Sequence, residues 1–294
     1  MRIVILSRGA QLYSTQSLLR AAMRAGHEAE IFDYTQLNCI LAADGRVRLT
    51  YEGEDLEQPD AVLGRFSPTY TPLGASLMAL LAAGGSRVSP SPTALPLARD
   101  KWQALTALRL AGVPVPATAM LNDAQELSEV AERLGGYPLV IKLLESTHGA
   151  GVVLARDAAT ARSILDAFAS LHRGVLVQAF AADTGGADVR AIVCGGRVVA
   201  AMRRRPAPGE FRSNLHRGGS AEATELDARE RDAVLRATAA LQLEIAGVDL
   251  LRTTAGPLVL EVNASPGLEG IEGATGIDVA GAMIDTLAKG ASRR

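Results

Sequence analysis

Two apolar segments near the C-terminus, residues 248–251 and 257–262, flank a short turn and predict a β-hairpin. Asp249 and Glu261 lie at equal distances from the centre of that turn, so the hairpin places their carboxylates opposite each other. Asn263 follows Glu261 by two residues and points to the same face of the strand. Facing carboxylates repel unless cations separate them, and these oxygen ligands suit Mg²⁺ carried in with a nucleotide. A solvated hairpin edge is the alternative.

Strand and helix patterns alternate over the first third of the chain. This alternation predicts a small parallel α/β domain over residues 1–95. The Ser-Pro-Ser-Pro sequence at 89–92 is stiff and polar, and it marks the predicted boundary. The predicted strands and helices of this domain are residues 3–6, 14–25, 28–32, 61–63 and 73–83.

Two α+β subdomains are predicted after this boundary, over residues 96–182 and 183–294. The second is expected to hold two hairpins, a long polar loop and two helices. The elements predicted in the first are helices at 98–110, 123–134 and 158–171, a hairpin at 139–154 and a strand at 175–180.

The bulk composition argues against several classes of function. The net charge is -2 and the pI about 6.1, so the overall charge favours neither nucleic acid nor an anionic membrane. The apolar stretches are too short for a membrane span, and the N-terminal one is too short for a signal peptide. Cys39 and Cys194 have no metal-ligand spacing and are predicted to be reduced, buried thiols. These features predict a cytoplasmic protein.

The predicted 139–154 hairpin carries glycines at its tip and a lysine in its first strand. Gly149 and Gly151 allow backbone amides to approach an anion closely, and a flexible tip can close over a polyphosphate. Lys142 lies in an apolar strand, where an unpaired ammonium is costly unless a phosphate neutralises it. Lys101 lies at the start of a helix whose first turn can assist anion binding. A plain hairpin and an ordinary charged helix start are the alternatives.

Gln178, Ala179 and Phe180 end a strand that passes between the two predicted subdomains. Such a strand presents backbone donors and acceptors in a cleft, which suits the edge of an adenine ring. Asp188 begins the next strand, two residues before Arg190 on the same face. A buried connecting strand without a ligand explains the segment equally well.

The loop over residues 203–219 carries the strongest positive patch of the chain. Arginine pairs bidentately with carboxylate and phosphate, so this loop could hold a transferred phosphate and an acidic substrate. Charge runs usually lie on solvated surfaces, but the Gly-Gly end and the nearby carboxylate hairpin favour a functional loop. Nucleophile motifs, zinc spacings and dinucleotide-type glycine turns are missing from the sequence, which leaves a nucleotide site built from hairpins.

Taken together, these segments resemble the RimK family of ATP-grasp glutamate ligases, from about residue 98 to 288 and in the first strand. The resemblance implies a mixed α/β and α+β architecture, an ATP-grasp fold with an N-terminal parallel α/β domain. The strings that carry it are Ala-Arg-Asp-Lys at 98–101, Pro-Leu-Val-Ile-Lys at 138–142, Gly-Ala-Gly-Val-Val-Leu at 149–154, Phe-Arg-Ser-Asn-Leu-His-Arg-Gly-Gly at 211–219, Ala-Gly-Val-Asp at 246–249 and Glu-Val-Asn-Ala-Ser-Pro-Gly-Leu-Glu-Gly at 261–270.

The resemblance also implies roles for individual residues. Asp249, Glu261 and Asn263 would bind two Mg²⁺ ions, with Mn²⁺ as an alternative. The residues implied to act in catalysis are Arg204, Arg212 and Asn214. The residues implied to bind ATP are Lys101, Lys142, Gly149, Gly151, Gln178, Ala179, Phe180, Asp188, Arg212, Ser213 and Asn214.

In this family the γ-phosphate passes to a carboxylate, and an amino-acid amine attacks the resulting acyl phosphate. The resemblance implies glutamate as the amino acid and an acidic peptide, a protein C-terminus or a poly-α-glutamate chain as the acceptor. A small-subunit ribosomal protein is one such acceptor in the family. A homo-oligomer, either a dimer or a tetramer, is also implied. Ligation to a carrier protein or a small cofactor, and a non-ligating ATP-binding regulator, remain open as alternatives.

Two positions depart from the family pattern. The hinge reads Gln-Ala-Phe, whereas the family usually has an acidic residue before the aromatic one. Ala179 cannot supply that side chain, so adenine binding is expected to rest on backbone groups. In the first domain, Gly-Arg-Phe-Ser at 64–67 replaces the usual Arg-Ile-Gly, which affects the acceptor side.

Overall fold

The structure of the protein is a computed structural model. It describes residues 1–43, 47–144, 151–169, 174–215 and 218–291. None of the helices in these ranges is both long and apolar enough to cross a bilayer. The strands are β1 (Arg2–Leu6), β2 (Glu28–Phe32), β3 (Asn38–Leu41), β4 (Val47–Tyr51), β5 (Glu54–Asp55), β6 (Ala61–Gly64), β7 (Arg87–Ser89), β8 (Thr118–Leu121), β9 (Leu139–Leu143), β10 (Val152–Ala155), β11 (Val175–Ala179), β12 (Asp188–Cys194), β13 (Arg197–Arg205), β14 (Ser220–Ala223), β15 (Ile245–Thr253) and β16 (Gly256–Asn263). The helices are α1 (Tyr13–Arg24), α2 (Thr71–Ala83), α3 (Ala94–Arg99), α4 (Lys101–Leu110), α5 (Leu127–Arg133), α6 (Ala158–Ala169), α7 (Ala228–Ala240), α8 (Glu269–Thr275) and α9 (Val279–Ala291).

The N-terminal unit is a four-stranded parallel sheet with the strand order β2-β1-β6-β7. Strand β1 is buried from Ile3 to Leu6, as expected for the centre of a parallel sheet that is covered on both faces. The predicted parallel α/β arrangement is confirmed, and the predicted strands and helices agree with the observed ones to within a few residues.

A small antiparallel sheet of β3, β4 and β5 was not predicted from the sequence. Strand β3 is exposed along its whole length, because only one neighbouring strand pairs with it and little packs against its side chains. The prediction of a buried thiol at Cys39 is therefore wrong, whereas Cys194 on β12 is buried as predicted.

The central unit is an antiparallel sheet with the order β10-β9-β11-β8. Its hairpin of β9 and β10 is confirmed, but the predicted glycine tip, with Gly149, lies outside the described residues. The predicted helix at 123–134 is a 3₁₀ turn over Ala124–Glu126 followed by α5.

The predicted single helix over 98–110 is wrong, because two helices, α3 and α4, meet at Asp100. Asp100 has an extended backbone, with φ -81° and ψ 109°, and its carboxylate accepts a hydrogen bond from the backbone amide of Gln103. An aspartate in this conformation satisfies the open amides of a new helix. Helix α4 therefore begins at Lys101, which fixes the position of that lysine.

The C-terminal unit is an antiparallel sheet with the order β14-β13-β12-β15-β16. Three helices, α7, α8 and α9, follow in the described part of this unit, where two were predicted. The basic run at Arg203, Arg204 and Arg205 ends strand β13, so the prediction that these residues belong to a loop is wrong. Pairing with β12 and β14 holds these arginines in an extended strand.

The apolar cores divide the molecule differently from the sheets. Two cores combine side chains of the N-terminal sheet and its helices with side chains of the C-terminal sheet and its helices. Helix α4 contributes Ala104 and Leu108 to the first of them. The third core lies entirely within the central unit, from Leu121 to Val177. The N- and C-terminal units are thus packed together, while the central unit has a core of its own.

The Leu139→Ala variant is expected to destabilise the central unit alone. Leu139 is fully buried in the third core, and removing its side chain leaves a cavity that costs about 2–5 kcal/mol. Native-state hydrogen exchange should show faster exchange in β8, β9 and β11 and unchanged protection in β1 and β15. Equal loss of protection in all three units would contradict this division of the cores.

Candidate active site

The region between the central and C-terminal sheets, here called the cleft, brings together side chains that were predicted to bind phosphate and metal. Lys142 on β9 and Glu261 on β16 lie close enough for the Glu261 charge to act on the pKa of Lys142. Arg212, after β13, donates from Nη1 to the carbonyl oxygen of Val152 on β10, at 3.2 Å. The two sheets therefore contribute opposite charges to one cleft.

Lys142 is held by a chain of hydrogen bonds across three neighbouring strands. Its Nζ donates to Oε1 of Gln178 on β11 at 2.6 Å, and Nε2 of Gln178 donates to the hydroxyl of Thr118 on β8 at 2.8 Å. The Gln178 side chain is buried and engaged on both sides. In this structure it orients Lys142, so the Gln178 side chain is already engaged and is not open for the predicted contact with adenine.

Burial lowers the pKa of the Lys142 ammonium to about 8. The Glu261 carboxylate opposes this shift, and the charge of Lys101 adds to it. An anion that binds beside a desolvated ammonium raises its pKa and so favours its charged form. Lys142 is therefore suited to meet a phosphate group that enters the cleft.

The affinity for ATP is expected to fall as the pH rises through about 8. Below that pH Lys142 is protonated and attracts phosphate, whereas above it the neutral amine must take up a proton on binding, which weakens binding by up to about tenfold per pH unit. Isothermal titration calorimetry on both sides of pH 8 measures this slope. The Lys142→Arg variant, which stays charged, is the control and should show a flatter profile. Equal slopes in both proteins would contradict the assignment.

Lys101 approaches the same end of β9 from the first turn of α4. Its Nζ donates to the carbonyl oxygen of Leu144 at 2.8 Å. The pKa of Lys142 also responds to the Lys101 charge, so the two ammonium groups are near each other. The structure thus brings together the two lysines that were predicted to bind phosphate.

In the hairpin of β15 and β16, Asp249 pairs with Glu261 as predicted, but a β-bulge that was not predicted is the cause. Thr253 pairs with Gly256, so the turn is centred half a residue before 255, and a regular hairpin would then place Asp249 opposite Leu260. A β-bulge beside Leu250 adds one residue to β16 and restores the pairing of Asp249 with Glu261. Counting residues symmetrically about the turn identified the right pair only because of this bulge.

Asp249 lies in a buried network of alternating charges that spans three strands. Arg190 donates to it from Nε at 2.7 Å and from Nη2 at 2.6 Å, and Nη2 of Arg204 donates to it at 2.9 Å. Arg204 also pairs with Asp188 through two bonds of 2.7 and 2.5 Å. Arg204 was predicted to be catalytic, and in this structure it neutralises two carboxylates.

The two carboxyl groups of this network have opposite pKa shifts. Burial raises the pKa of Asp249, but the charges and hydrogen bonds of Arg190 and Arg204 outweigh burial and lower it to about 2. Burial and the charge of Asp249 together raise the pKa of Asp188 more than Arg204 and Ser213 lower it, so the net shift is upward. Asp249 is therefore the firmly ionised member of the pair and the better ligand for a cation.

The three predicted metal ligands fit a hard cation by their chemistry and remaining capacity. A carboxylate has about four lone-pair sites. Two hydrogen bonds fall on Oδ2 of Asp249 and one on Oδ1, so Oδ1 keeps a free lone pair. Glu261 is exposed to the cleft, and Nδ2 of Asn263 is buried without a hydrogen-bond partner. Clusters of three or more His, Cys, Asp or Glu were not found among the described residues, and the predicted set has two carboxylates and one amide.

The segment after β13 brings further predicted residues toward the cleft. Hydrogen bonds from Arg212 are the main cause of the low pKa of Glu210, which is about 2. Ser213 is buried and hydrogen-bonds to Asp188, which lowers the pKa of that carboxyl. Asn214 is half-buried beside Ser213, and His216 lies outside the described residues. The loop is therefore tied to both the hairpin strand β10 and the buried charge network.

Some hydrogen-bonding groups of the predicted adenine-binding segment, residues 178–180, already have partners within the protein. The backbone amide of Ala179 donates to the carbonyl oxygen of Ala117 at 2.9 Å, so this donor is already used. Phe180 is half-buried and meets the ring of Phe211 edge to face, with centroids 6.5 Å apart. Gly151, at the end of the hairpin tip, has φ +67°, a conformation that favours glycine, and a Cβ there would lie 2.7 Å from Leu143.

A cavity of about 550 Å³ lies apart from this cleft. It is lined by Pro114, by the N-terminal half of α7 and by the turn between β15 and β16. The residues that were predicted to bind nucleotide or metal do not line it. The cavity therefore carries no part of the site described here.

Arg190 and Arg99 are charged residues of this region to which the sequence interpretation gave no role. Arg190 faces Asp249 in the strand register, and the pKa of Arg99 responds to the charge of Glu261. The alternation that puts Asp188 and Arg190 on one face was visible in the sequence, but the strand that lies opposite was not. The contact of Arg190 with Asp249 could have been predicted only if the order of the strands in the sheet had been known.

Comparison with known proteins identifies the class of enzyme and the family. Residues 98–287 match the RimK-like ATP-grasp domain, and residues 1–95 match the RimK PreATP-grasp domain. A protein of Teredinibacter turnerae named probable alpha-L-glutamate ligase is 46% identical over 99% of this chain and 96% of its own length. A protein of Shewanella amazonensis named probable alpha-L-glutamate ligase 1 is 44% identical over 100% of this chain and 97% of its own.

These matches define an ATP-dependent ligase. The chain belongs to the RimK-like ATP-grasp family, as its motifs predicted.

Solved structures agree with the fold. The RimK domain ATP-grasp protein of Sphaerobacter thermophilus superposes with a TM-score of 0.72 at 26% identity, covering 98% of this chain and 100% of that one. The ATP-grasp ligase PsnB, in complex with a phosphomimetic variant of its minimal precursor, Mg and ADP, has a TM-score of 0.76 at 23% identity, covering 99% of this chain and 98% of that one. The predicted ATP-grasp fold is confirmed.

Proposed function

We propose that this protein uses ATP to join L-glutamate to the carboxylate of an acidic peptide, a protein C-terminus or a growing poly-α-glutamate chain. The observation that carries the proposal is the cleft in which Lys142 and Glu261 lie close together. Support comes from the names of the relatives that are 46% and 44% identical over nearly the whole chain. The cations on the central sheet would hold a polyphosphate, and the carboxylates on the C-terminal sheet would hold its counter-ions.

Positive side chains around the cleft would offset part of the charge of a nucleoside triphosphate, which is about -4, and the proposed divalent ions would offset the rest. Lys101 and Lys142 approach from the central side, and Arg212 approaches from the loop after β13. Phosphoryl transfer requires alignment and charge neutralisation more than it requires a protein nucleophile. The proposed route is transfer of the γ-phosphate to the acceptor carboxylate, followed by attack of the glutamate amine on the acyl phosphate.

Asp249, Glu261 and Asn263 are the residues that would hold divalent cations, and we propose two Mg²⁺ ions, with Mn²⁺ as a substitute. Such ions supply Lewis-acid stabilisation of the negative charge on the transferring phosphate. Arg190 and Arg204 position Asp249 by fixing both of its oxygens. Asn214 and Arg212 would contact the transferred group.

Water exclusion is a second requirement, because an acyl phosphate hydrolyses easily. The bond from Arg212 to Val152 ties the loop after β13 to the hairpin strand β10, and this contact would help to close the cleft. We propose a cytoplasmic homo-oligomer, a dimer or tetramer, that acts on small-subunit ribosomal protein or on glutamyl peptides.

A substrate panel tests the proposed function. The purified protein, with ATP and Mg²⁺, is given each amino acid together with a tetraglutamate peptide or a small-subunit ribosomal protein. Release of ADP and a ladder of glutamyl additions, found only with glutamate, is the expected result. Turnover on a carrier protein or small cofactor, but not on peptides, would point to the other ligase class, and tight ATP binding without turnover would point to a regulator.

A further inference from the structure

Two half-buried arginines meet where the N-terminal domain contacts the end of the carboxylate hairpin. Arg65 directly follows β6, and its Nη2 donates to the carbonyl oxygen of Pro266, at 3.0 Å, in the loop after β16. Arg99 ends α3, and its Nη2 donates to the carbonyl oxygen of Phe66 at 2.7 Å. The carboxyl ends of parallel strands are a common place for ligands.

Neither guanidinium forms an ion pair with a carboxylate in the part of the chain that the structure describes, although desolvation lowers the pKa of both. Nη1 of Arg65 and Nε of Arg99 are buried without hydrogen-bond partners, as is Nδ2 of Asn263 in the same junction. Buried polar groups normally have partners, and an unpaired buried charge is especially costly. Three such atoms at one place indicate a site built for a ligand.

The charge at this junction calls for an anion. Burial and, to a smaller extent, the charge of the nearby Arg99 lower the pKa of Arg65 to about 10. Burial also lowers the pKa of Arg99, which the Glu261 carboxylate opposes. Lys142 is near the same carboxylate, so Glu261 faces two cations and Arg65 is left without an opposite charge. Guanidinium groups match a carboxylate with two parallel hydrogen bonds.

We propose that Arg65 and Arg99 bind a substrate carboxylate that does not react, and that this contact selects an acidic substrate for the ligase. The inference rests on the proposed function, and it adds a residue from the N-terminal domain to the site. The carboxylate could belong to the incoming glutamate or to the acidic acceptor. Its position beside Glu261 and Asn263 places it next to the predicted site of phosphoryl transfer.

Steady-state kinetics with three substrates varied in turn test this proposal. In Arg65→Lys and Arg99→Lys the charge remains, but the fork that grips a carboxylate is lost. The KM for glutamate or the KM for the tetraglutamate peptide should rise about 10- to 100-fold, while the KM for ATP stays unchanged. The substrate whose KM rises is the one that the arginines hold. The control is Arg2→Lys at the opposite end of the same sheet, where Arg2 already pairs with Glu30 and Glu57.

Inhibition of the unaltered enzyme keeps the proposal testable if a variant does not fold. Glutarate should compete with glutamate or with the peptide, and its neutral analogue glutaramide should not. Unchanged KM values for both carboxylate substrates in folded variants, or equal inhibition by the two analogues, would overturn the proposal. Absence of glutamate-dependent ADP release from the unaltered enzyme would instead overturn the proposed function itself.

Discussion

The Lys142→Met variant is expected to lose about 10²- to 10³-fold in glutamate-dependent ADP formation while becoming more stable. Lys142 is the ammonium that we propose contacts the phosphates, and methionine keeps its length without its charge. Burial lowers the pKa of this lysine from 10.5 to about 8, so keeping it charged costs folding free energy. Removing that cost should raise the free energy of unfolding at pH 7 by on the order of 2 kcal/mol. The loss of the hydrogen bond to Gln178 makes this gain smaller.

The sign of the pH dependence separates this explanation from a general packing effect. The unfolded lysine stays protonated up to about 10.5, whereas the folded one loses its proton near 8. The stability of the unaltered protein should therefore rise between these pH values relative to the variant. Urea unfolding of both proteins at pH 7 and pH 10 measures the difference. A variant that is less stable at both pH values, or fully active, would contradict the role given to Lys142.

The Arg204→Met variant is expected to lose about 3–5 kcal/mol of stability, because it leaves Asp188 and Asp249 partly unneutralised inside the protein. Arg204 is 4% exposed and makes three hydrogen bonds to these carboxylates. Arg205, the next residue, pairs with Glu222 at the surface, so Arg205→Met should cost at most about 1 kcal/mol. Denaturant unfolding of the two variants compares a buried with an exposed arginine of one strand.

The loss in Arg204→Met should also become smaller as the pH falls. Without Arg204 the raised pKa of Asp188 rises further, so the folded carboxyl binds a proton at a pH where the unfolded one does not. Addition of Asp188→Asn to the variant should restore part of the stability at pH 7. Equal costs for Arg204→Met and Arg205→Met would show that the network contributes little.

The sequence was sufficient to predict elements whose signal is local. The parallel sheet follows from short apolar strands that alternate with helices, and the central hairpin follows from two apolar runs around glycines. Lys142 stood out because a charge in an apolar strand needs a partner. Each of these predictions depends on residue spacing within one segment. The parallel sheet, the central hairpin and the position of Lys142 in its strand are all observed in the structure.

Features that depend on pairing between distant segments could not be predicted. The bulge beside Leu250 decides which residue faces Asp249, and it has no clear mark in the sequence. Arg204 was assigned to a functional loop, whereas it lies in strand β13, where two buried aspartates from other strands neutralise it. The boundary at Asp100 was within reach, since an aspartate three residues before a glutamine is a typical helix start.

The proposed divalent-cation site is tested most directly by the Mg²⁺ dependence of ADP formation in the Glu261→Gln variant. Glu261 is exposed, so the substitution should leave the fold intact, and it removes one negative ligand without changing the size of the side chain. Glu222→Gln, at an exposed glutamate of the same sheet, is the matched control. We predict that half-maximal activity requires at least about tenfold more Mg²⁺ in Glu261→Gln than in the control. Identical Mg²⁺ dependence in the two variants would contradict a metal site at this hairpin.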